Sequence, residues 1–425
     1  MFFYRAVYNC VIQLTRYPFA PRSARSARLE GNINIDVMRV LFLCHQYSDI
    51  SIGGVAEFLH HLPLALKQYG IESFLYTRAK EKNEKSLVGP DVLPNGMLHY
   101  TGPFLKPRWL ISPKALEPLI QLCKKEKIDL IHAQGTYRAG YMAMQLKKRL
   151  NIPYIVTSHS DILETNSKRL KKISVKARLK KVLKNADYVT HLTHSMAEAS
   201  HAHYPTIEKS KIIQNGIDVN AWHPFIQQVE QDYMLAIGRL EPGKGFDVLI
   251  QVYAELKKQP ITDAFVIAGS GSAKERLKNQ IHDLQLEMDD QAGLEAIQKG
   301  KIIFTGYVRD SAKKQLFANA KIILFATQPH QWDEAFGIVL LEAMAAGKAI
   351  VASDIPSTRY LQSLGLNALL VKADDLKAWR EAIKSLLNDK TQRQLLGNQN
   401  LLNVHRFDWS RIAKEYAECY QRVGS

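Results

Sequence analysis

Glu334 and Glu342 stand eight residues apart in Glu334-Ala-Phe-Gly-Ile-Val-Leu-Leu-Glu342, a stretch that runs on to Gly347. Two carboxylates so spaced can accept from hydroxyls at two ends of one ligand. Gly337 follows the first acid by three residues, and Ile338, Leu341 and Ala345 recur at helical spacing behind it. The pattern predicts a loop through Glu334 and a helix starting near Phe336. The first N–H groups of such a helix lack intrahelical partners and carry partial positive charge, so an anion can sit there. Eight residues of helix rise about 12 Å, the scale of the reach from a hexose to a ribose across a diphosphate. Taken alone, the spacing favours an amphipathic helix with two solvated acids, because acidic residues suit a first turn for dipole reasons. Neighbouring blocks must decide.

Gly238-Arg-Leu-Glu-Pro-Gly-Lys-Gly245 nearly matches a phosphate-binding P-loop, with Gly245 where Ser or Thr belongs. The missing hydroxyl would hold Mg²⁺, so the block argues against an NTPase. A glycine-rich turn, two cations (Arg239 and Lys244) and a following helix N-terminus remain, and together they suit a diphosphate. A Pro-Gly turn with surface cations is the simpler alternative. Ala268-Gly-Ser-Gly271 opens like a dinucleotide fingerprint but has Lys274 at the third glycine position, and reads as a tight strand-to-helix turn. In Phe304-Thr-Gly-Tyr-Val308, Gly306 permits close backbone approach, so that Tyr307 and Val308 could face a base. Gly53-Gly54 offers backbone N–H groups to a phosphate or a hydroxyl-rich acceptor. His159, in Thr157-Ser-His-Ser-Asp161, directly follows a strand, and Asp161 could orient it. Among fourteen histidines this position singles it out. Gly-x-Ser-x-Gly and His-Glu-x-x-His are absent, and His60-His61 are adjacent rather than at ligand spacing, so neither a serine nucleophile nor a metal site is expected. Aromatic-basic alternation of the nucleic-acid type is also missing, and no nucleic-acid partner is expected.

The elements that must position these residues alternate. Strands are expected at 40–44, 73–76, 128–133, 154–158, 188–192 and 211–213, with a helix through Glu57, Leu62 and Leu66. Residues 80–110 read as a variable loop holding an edge strand near 98–101. A second cycle has strands at 234–237, 264–268, 302–305, 322–325, 350–353 and 369–371 and helices at 246–258, 376–387, 392–402 and 409–423. Such alternation means parallel sheets covered on both faces. The fold class is α/β: two doubly wound Rossmann-like domains in tandem, facing a cleft at the carboxyl ends of their strands. The divisions are an extension at 1–37, a first domain at 38–216, a linker at 217–232, a second domain at 233–408 and a terminal helix at 409–425.

A chain of 425 residues holds two full cores. No run of eighteen apolar residues calls for a membrane span. Cys10, Cys44, Cys123 and Cys419 lack metal-site spacing and fit reduced thiols, hence a cytoplasmic setting. The net charge of +16 implies attraction to something acidic. Between Lys168 and Lys184 it concentrates on a helix whose Val175, Leu179, Val182 and Ala186 share one side, while Leu170, Ile173 and Ala177 fall on another. The helix could rest on an anionic membrane surface, or its apolar side could face the core with its lysines solvated. Residues 1–37 carry five arginines and no acid before Glu30. They resemble a transit peptide or a short interfacial anchor; an upstream translation start is favoured, since Met38-Arg-Val-Leu-Phe-Leu-Cys begins naturally, and the segment is set outside the fold.

Four blocks in this order resemble the GT-B glycosyltransferases, close to glycosyltransferase family 4: Gly53-Gly54, Asn215-Gly-Ile-Asp218, Gly238–Gly245 and Glu334–Glu342. The likeness runs from about Met38 to the last helix, with Phe407-Asp-Trp409 like the family's crossing back to the first domain. It implies a retaining, metal-independent hexosyltransferase using a nucleoside diphosphate sugar of UDP or GDP type and no cofactor. The acceptor would be a glycan or glycolipid, in bacterial envelope or surface polysaccharide synthesis. It implies that Arg239 and Lys244 neutralise the diphosphate and that Glu334 faces the sugar beside the N–H groups of Phe336 and Gly337. Glu342 would take the ribose hydroxyls, His159 would contact the sugar from the first domain, and Gly54 would lie under the diphosphate or acceptor. Gly238, Gly306, Val308 and Ile338 complete the implied donor site. Ser160 between His159 and Asp161 is a local departure. A sugar-nucleotide epimerase or a phosphorylase on the same scaffold, or a non-catalytic binder of anionic lipid or nucleic acid, is the alternative; the intact Glu334–Glu342 block speaks against all three.

Overall fold

The computed structural model describes residues 37–45, 47, 53–79, 86–104, 116–159, 172–204, 209–226, 229–290, 300–332 and 334–424. Residues 1–36, Ser160, Asp161 and the first basic residues after Lys168 lie outside them. Val37–Ser425 is one compact unit built on two sheets.

The eight-stranded first sheet runs Val88–Val92, Leu98–Gly102, Ile71–Arg78, Met38–Cys44, Leu130–Gln134, Tyr154–Ser158, Tyr188–His191 and Ser210–Ile212. The seven-stranded second sheet runs Met288–Asp290, Ile302–Gly306, Ala264–Ala268, Tyr233–Ile237, Ile322–Phe325, Ala349–Ser353 and Ala368–Val371. Successive residues feed opposite faces. Val40 and Phe42 enter one apolar cluster and Leu41 and Leu43 another; Tyr233 and Leu235 divide from Met234 and Ala236 in the same way. Both faces of each sheet are therefore buried, which is why the strands read as near-continuous apolar runs.

The sequence expectation for 98–101 needs correction. Leu98–Gly102 is an interior strand, because Val88–Val92 pairs antiparallel on its outer side. The outer strand, Val-Gly-Pro-Asp-Val, is exposed at every residue. It carries no apolar alternation to announce it, and Pro90 suits an edge.

The helix Trp409–Gly424 belongs to the first sheet's core. Its Trp409, Ile412, Tyr416 and Tyr420 are buried with Val40, Phe42 and Phe58. The buried His132 pins it, with Nδ1 2.7 Å from the Tyr420 hydroxyl and Nε2 2.6 Å from Thr157 Oγ1. The returning chain runs beside the outgoing one: the Ile217 N–H donates to the Phe407 carbonyl at 2.8 Å, and the Trp409 N–H to the Ile217 carbonyl at 3.3 Å. The Trp409 ring lies flat on Gly216, where a Cβ would come within 2.5 Å of it. Only glycine fits there, which gives Asn215-Gly-Ile-Asp218 its glycine; Asp218 then caps the short 3₁₀ helix Val219–Phe225 by accepting from the Ala221 N–H at 3.2 Å.

The basic helix spans Ile173–Asn185. Val175, Leu179 and Val182 are buried, whereas Lys176, Lys180, Lys181 and Lys184 face solvent beside Ile173, which is 85% exposed. Among the described residues no helix is long and apolar enough to cross a membrane.

Candidate functional site

A cleft of about 820 Å³ opens between the carboxyl ends of the two sheets. Each implied site residue lines it: Gly54 and His159 from the first half, and Gly238, Arg239, Lys244, Val308, Glu334, Phe336, Gly337, Ile338 and Glu342 from the second. Gly306 is the exception, standing just before the lining residue Tyr307.

The near-P-loop is a turn into the helix Phe246–Lys257. Gly245 has φ +75°, and a Cβ there would lie 1.9 Å from the Ala326 carbonyl oxygen. The Ser or Thr of a true P-loop has no room, so the missing hydroxyl is a consequence of packing. Gly243 has φ +87° and is pressed against Gln331 and Trp332. This turn delivers Lys244 to Glu334, Nζ to Oε2 at 2.5 Å, with both side chains largely buried. Thr327 Oγ1 donates to the same carboxylate oxygen at 3.4 Å. The Arg239 guanidinium and the Lys244 ammonium each stand 4.8 Å from the Trp332 ring centroid. The negative face of the indole thus holds two cations that would otherwise repel one another.

Gly337, at φ +84°, caps the helix Ile338–Ala345, and the buried Phe336 anchors its entry. The helix starts two residues later than the sequence indicates, because Gly337 takes a left-handed turn first. Glu342, one turn from its far end, is 7% exposed. It is not a solvated acid: Lys313 Nζ donates to its Oε1 at 2.6 Å. Burial pushes the Glu342 carboxyl up, while Lys313 pulls it down. Lys313 also reaches Glu57 on the first half's helix Gly54–Leu66, at 3.8 Å.

In the first half, His159 is buried, with Nε2 2.8 Å from Gln134 Oε1 and its ring edge-on to Phe58. Loss of solvent lowers its pKa to about 4, so near neutrality it is an uncharged donor and acceptor. The Asp161 expected to orient it lies outside the described residues; Gln134 is the orienting group seen. A Cβ on Gly54 would come within 3.1 Å of Ile338 Cδ1 and 3.6 Å of Asn215 Nδ2, so the Gly53-Gly54 turn meets the helix Ile338–Ala345 directly. Asn215 is 2% exposed, its Oδ1 has no hydrogen-bond partner among the described residues, and it lines the cleft.

Trp332, Lys313 and Glu57 are among the lining residues that sequence reading missed. Trp332 stands two residues before Glu334, a spacing that could have drawn notice. Lys313 sits on a helix with no motif around it, Glu57 is one turn past Gly53-Gly54 without belonging to that block, and only the fold brings them to Glu342.

Two tandem Rossmann-like sheets, a cleft with paired cations at a helix start and a last helix crossing back define the GT-B class of enzymes. Models of two protein families meet in the middle of the chain: Glycosyltransferase Family 4 matches residues 52–221, and Glycosyl transferases group 1 matches 221–401. The chain belongs to this family of glycosyltransferases and is a glycosyl-transferring enzyme. A Methanocaldococcus jannaschii protein named only as a glycosyltransferase is 25% identical, over 90% of this chain and 98% of its own. The D-inositol 3-phosphate glycosyltransferase of Corynebacterium glutamicum is 23% identical over 87% of this chain and 91% of its own. The phosphatidyl-myo-inositol mannosyltransferase of Mycolicibacterium smegmatis is 32% identical, over 50% of this chain and 51% of its own. Among solved structures, a sucrose-phosphate synthase from Thermosynechococcus elongatus has a TM-score of 0.70 at 19% identity, over 91% of this chain and 98% of that one. The Anabaena protein HepE in complex with UDP-glucose has 0.69 at 20%, over 91% and 100%. These two establish likeness of fold.

Proposed function

We propose that this enzyme moves a hexose from a nucleoside diphosphate sugar to a glycan or lipid-linked acceptor, with retention of anomeric configuration and without a bound metal. The observation that carries the reading is the Lys244–Glu334 pair, set with Arg239 and Trp332 at the start of the helix Ile338–Ala345. The donor lies along the second half, residues 233–408, and the acceptor against the first, residues 38–216. The C1–O bond to the diphosphate breaks, its electron pair goes to the phosphate oxygen, and Arg239, Lys244 and the helix N–H groups meet that charge. The acceptor oxygen forms the new bond on the same face of C1 and passes its proton to the departing phosphate oxygen. Glu334 faces the sugar, a neutral His159 touches it from across the cleft, Glu342 takes the ribose, and Val308 the base.

A UDP-type donor is favoured over a GDP type because the likeness of fold extends to a protein seen with UDP-glucose. The names of the inositol-acting relatives support a glycan or lipid-linked acceptor, and an envelope or surface polysaccharide role goes with it. The solvent-facing lysines of Ile173–Asn185 fit peripheral attachment to an anionic membrane face. Product analysis with a panel of UDP-, GDP- and ADP-sugars tests the reading. Transfer with a retained anomer in chelator supports it, and no turnover with any donor sinks it. Vesicle binding that falls with salt tests the membrane part.

A further inference from the structure

Two carboxylates, one from each half of the molecule, converge on a single ammonium. Lys313, on the helix Asp310–Asn319, donates to Glu342 Oε1 at 2.6 Å and stands 3.8 Å from Glu57 Oε1. On its other side Glu57 Oε2 lies 3.4 Å from His61 Nε2, and the His61 ring stacks on Trp409 at 5.9 Å. Lys314 also acts on Glu342, Tyr307 on Lys313, and His60 on Glu57, while Asp310 acts on His60. Glu57 is partly exposed and its contact with Lys313 is long, so that limb is weak. The buried limb to Glu342 is the strong one.

Glu342 is walled in by its own apolar helix, and the nearby Glu57 carboxylate also disfavours its charge. Lys313 is the direct cationic partner that opposes both. It occupies one carboxylate oxygen; the other, Oε2, makes no hydrogen bond among the described residues, and Glu342 lines the cleft. We propose that Lys313 is a positioning residue for the ribose end of the donor site: it holds Glu342 charged and turned so that Oε2 accepts from a ribose hydroxyl. This rests on the donor reading given above. A neutral carboxyl in the same place would carry a proton competing for that oxygen and would accept more weakly.

The test is the preference of the full-length protein for UDP over 2′,3′-dideoxy-UDP, measured as a ratio of dissociation constants from pH 6 to 9, with the GDP pair in parallel. In the wild type the ratio is flat with pH. In Lys313→Met it falls roughly tenfold at pH 6 and recovers toward pH 9, where Glu342 sheds its proton unaided. Lys313→Arg behaves as wild type. A wild-type ratio in Lys313→Met at every pH overturns the proposal, and so does a loss equal at every pH, which is the mark of a merely structural role. Glu342→Gln separates the two levels. If it keeps the wild-type ratio, the ribose reading itself fails; if it loses the ratio while Lys313→Met does not, only the role of Lys313 fails.

Discussion

Lys244 and Glu334 are separated by 90 residues of chain and meet at 2.5 Å. The pair makes each group conditional on the other. A lysine committed to a carboxylate has less to give a phosphate, and a carboxylate committed to a lysine is a weaker partner for a sugar. On the proposed donor reading, arrival of a diphosphate would shift the ammonium between two anions rather than create a new contact from solvent.

Lys244→Ala and Glu334→Ala are therefore expected to differ in binding while agreeing in turnover. Both should lose transfer by roughly a hundredfold or more with unchanged unfolding midpoints. Lys244→Ala should weaken the nucleoside diphosphate, whereas Glu334→Ala, which releases the lysine, should leave it as tight or tighter. Titration calorimetry beside initial rates reads both. Wild-type turnover in the two variants would refute the site.

Trp332→Ala should raise the donor KM several-fold by freeing Arg239 and Lys244 to splay apart, and Trp332→Phe should recover most of it, since each contact of this kind is worth about 0.5–1 kcal/mol when exposed. Equal KM values in all three proteins would leave the indole without a role in holding the cations.

Gly245→Ser restores the hydroxyl of a P-loop on paper. With φ at +75° and a carbonyl 1.9 Å from the new Cβ, it should instead destabilise the fold by at least about 3 kcal/mol. Urea denaturation measures that cost. A stable variant that gained Mg²⁺ dependence would show that the loop has room for a metal-binding hydroxyl.

Stability should fall as pH drops from about 6.5 toward about 4. His159 and His191 have pKa values lowered to about 4 by burial, and His132 is lowered further still. The unfolded chain takes up protons in that window that the folded chain refuses, so stability is complete above 6.5 and drains below it. A shift of the size seen at His159 corresponds to about 3 kcal/mol. Melting temperatures across the window check it. His159 should also contribute no titration to the rate between pH 5 and 8.

The alternation of strands and helices was legible because both faces of each sheet's interior are buried, so the interior strands had to be largely apolar runs. Val88–Val92 escaped because an exposed edge imposes no such pattern. The motif blocks were legible where backbone geometry dictates residue type: Gly245 has no room for a side chain, and Gly216 lies under an indole. Lys313, Glu57 and Trp332 were not, since a lysine or glutamate on a helix looks the same in sequence whether it meets solvent or a partner from the other half. Gln134 beside His159 was hidden for the same reason, and Asp161 drew attention only because it was close in the chain.

The helix Trp409–Gly424 has a consequence in time. The amino-terminal half emerges from the ribosome first but lacks seven buried residues of its own interior until the helix Trp409–Gly424 has been made. The half made second has its sheet complete by Val371, so the order of completion inverts the order of synthesis. A truncation before Trp409 would thus strike the part of the protein that was made earliest.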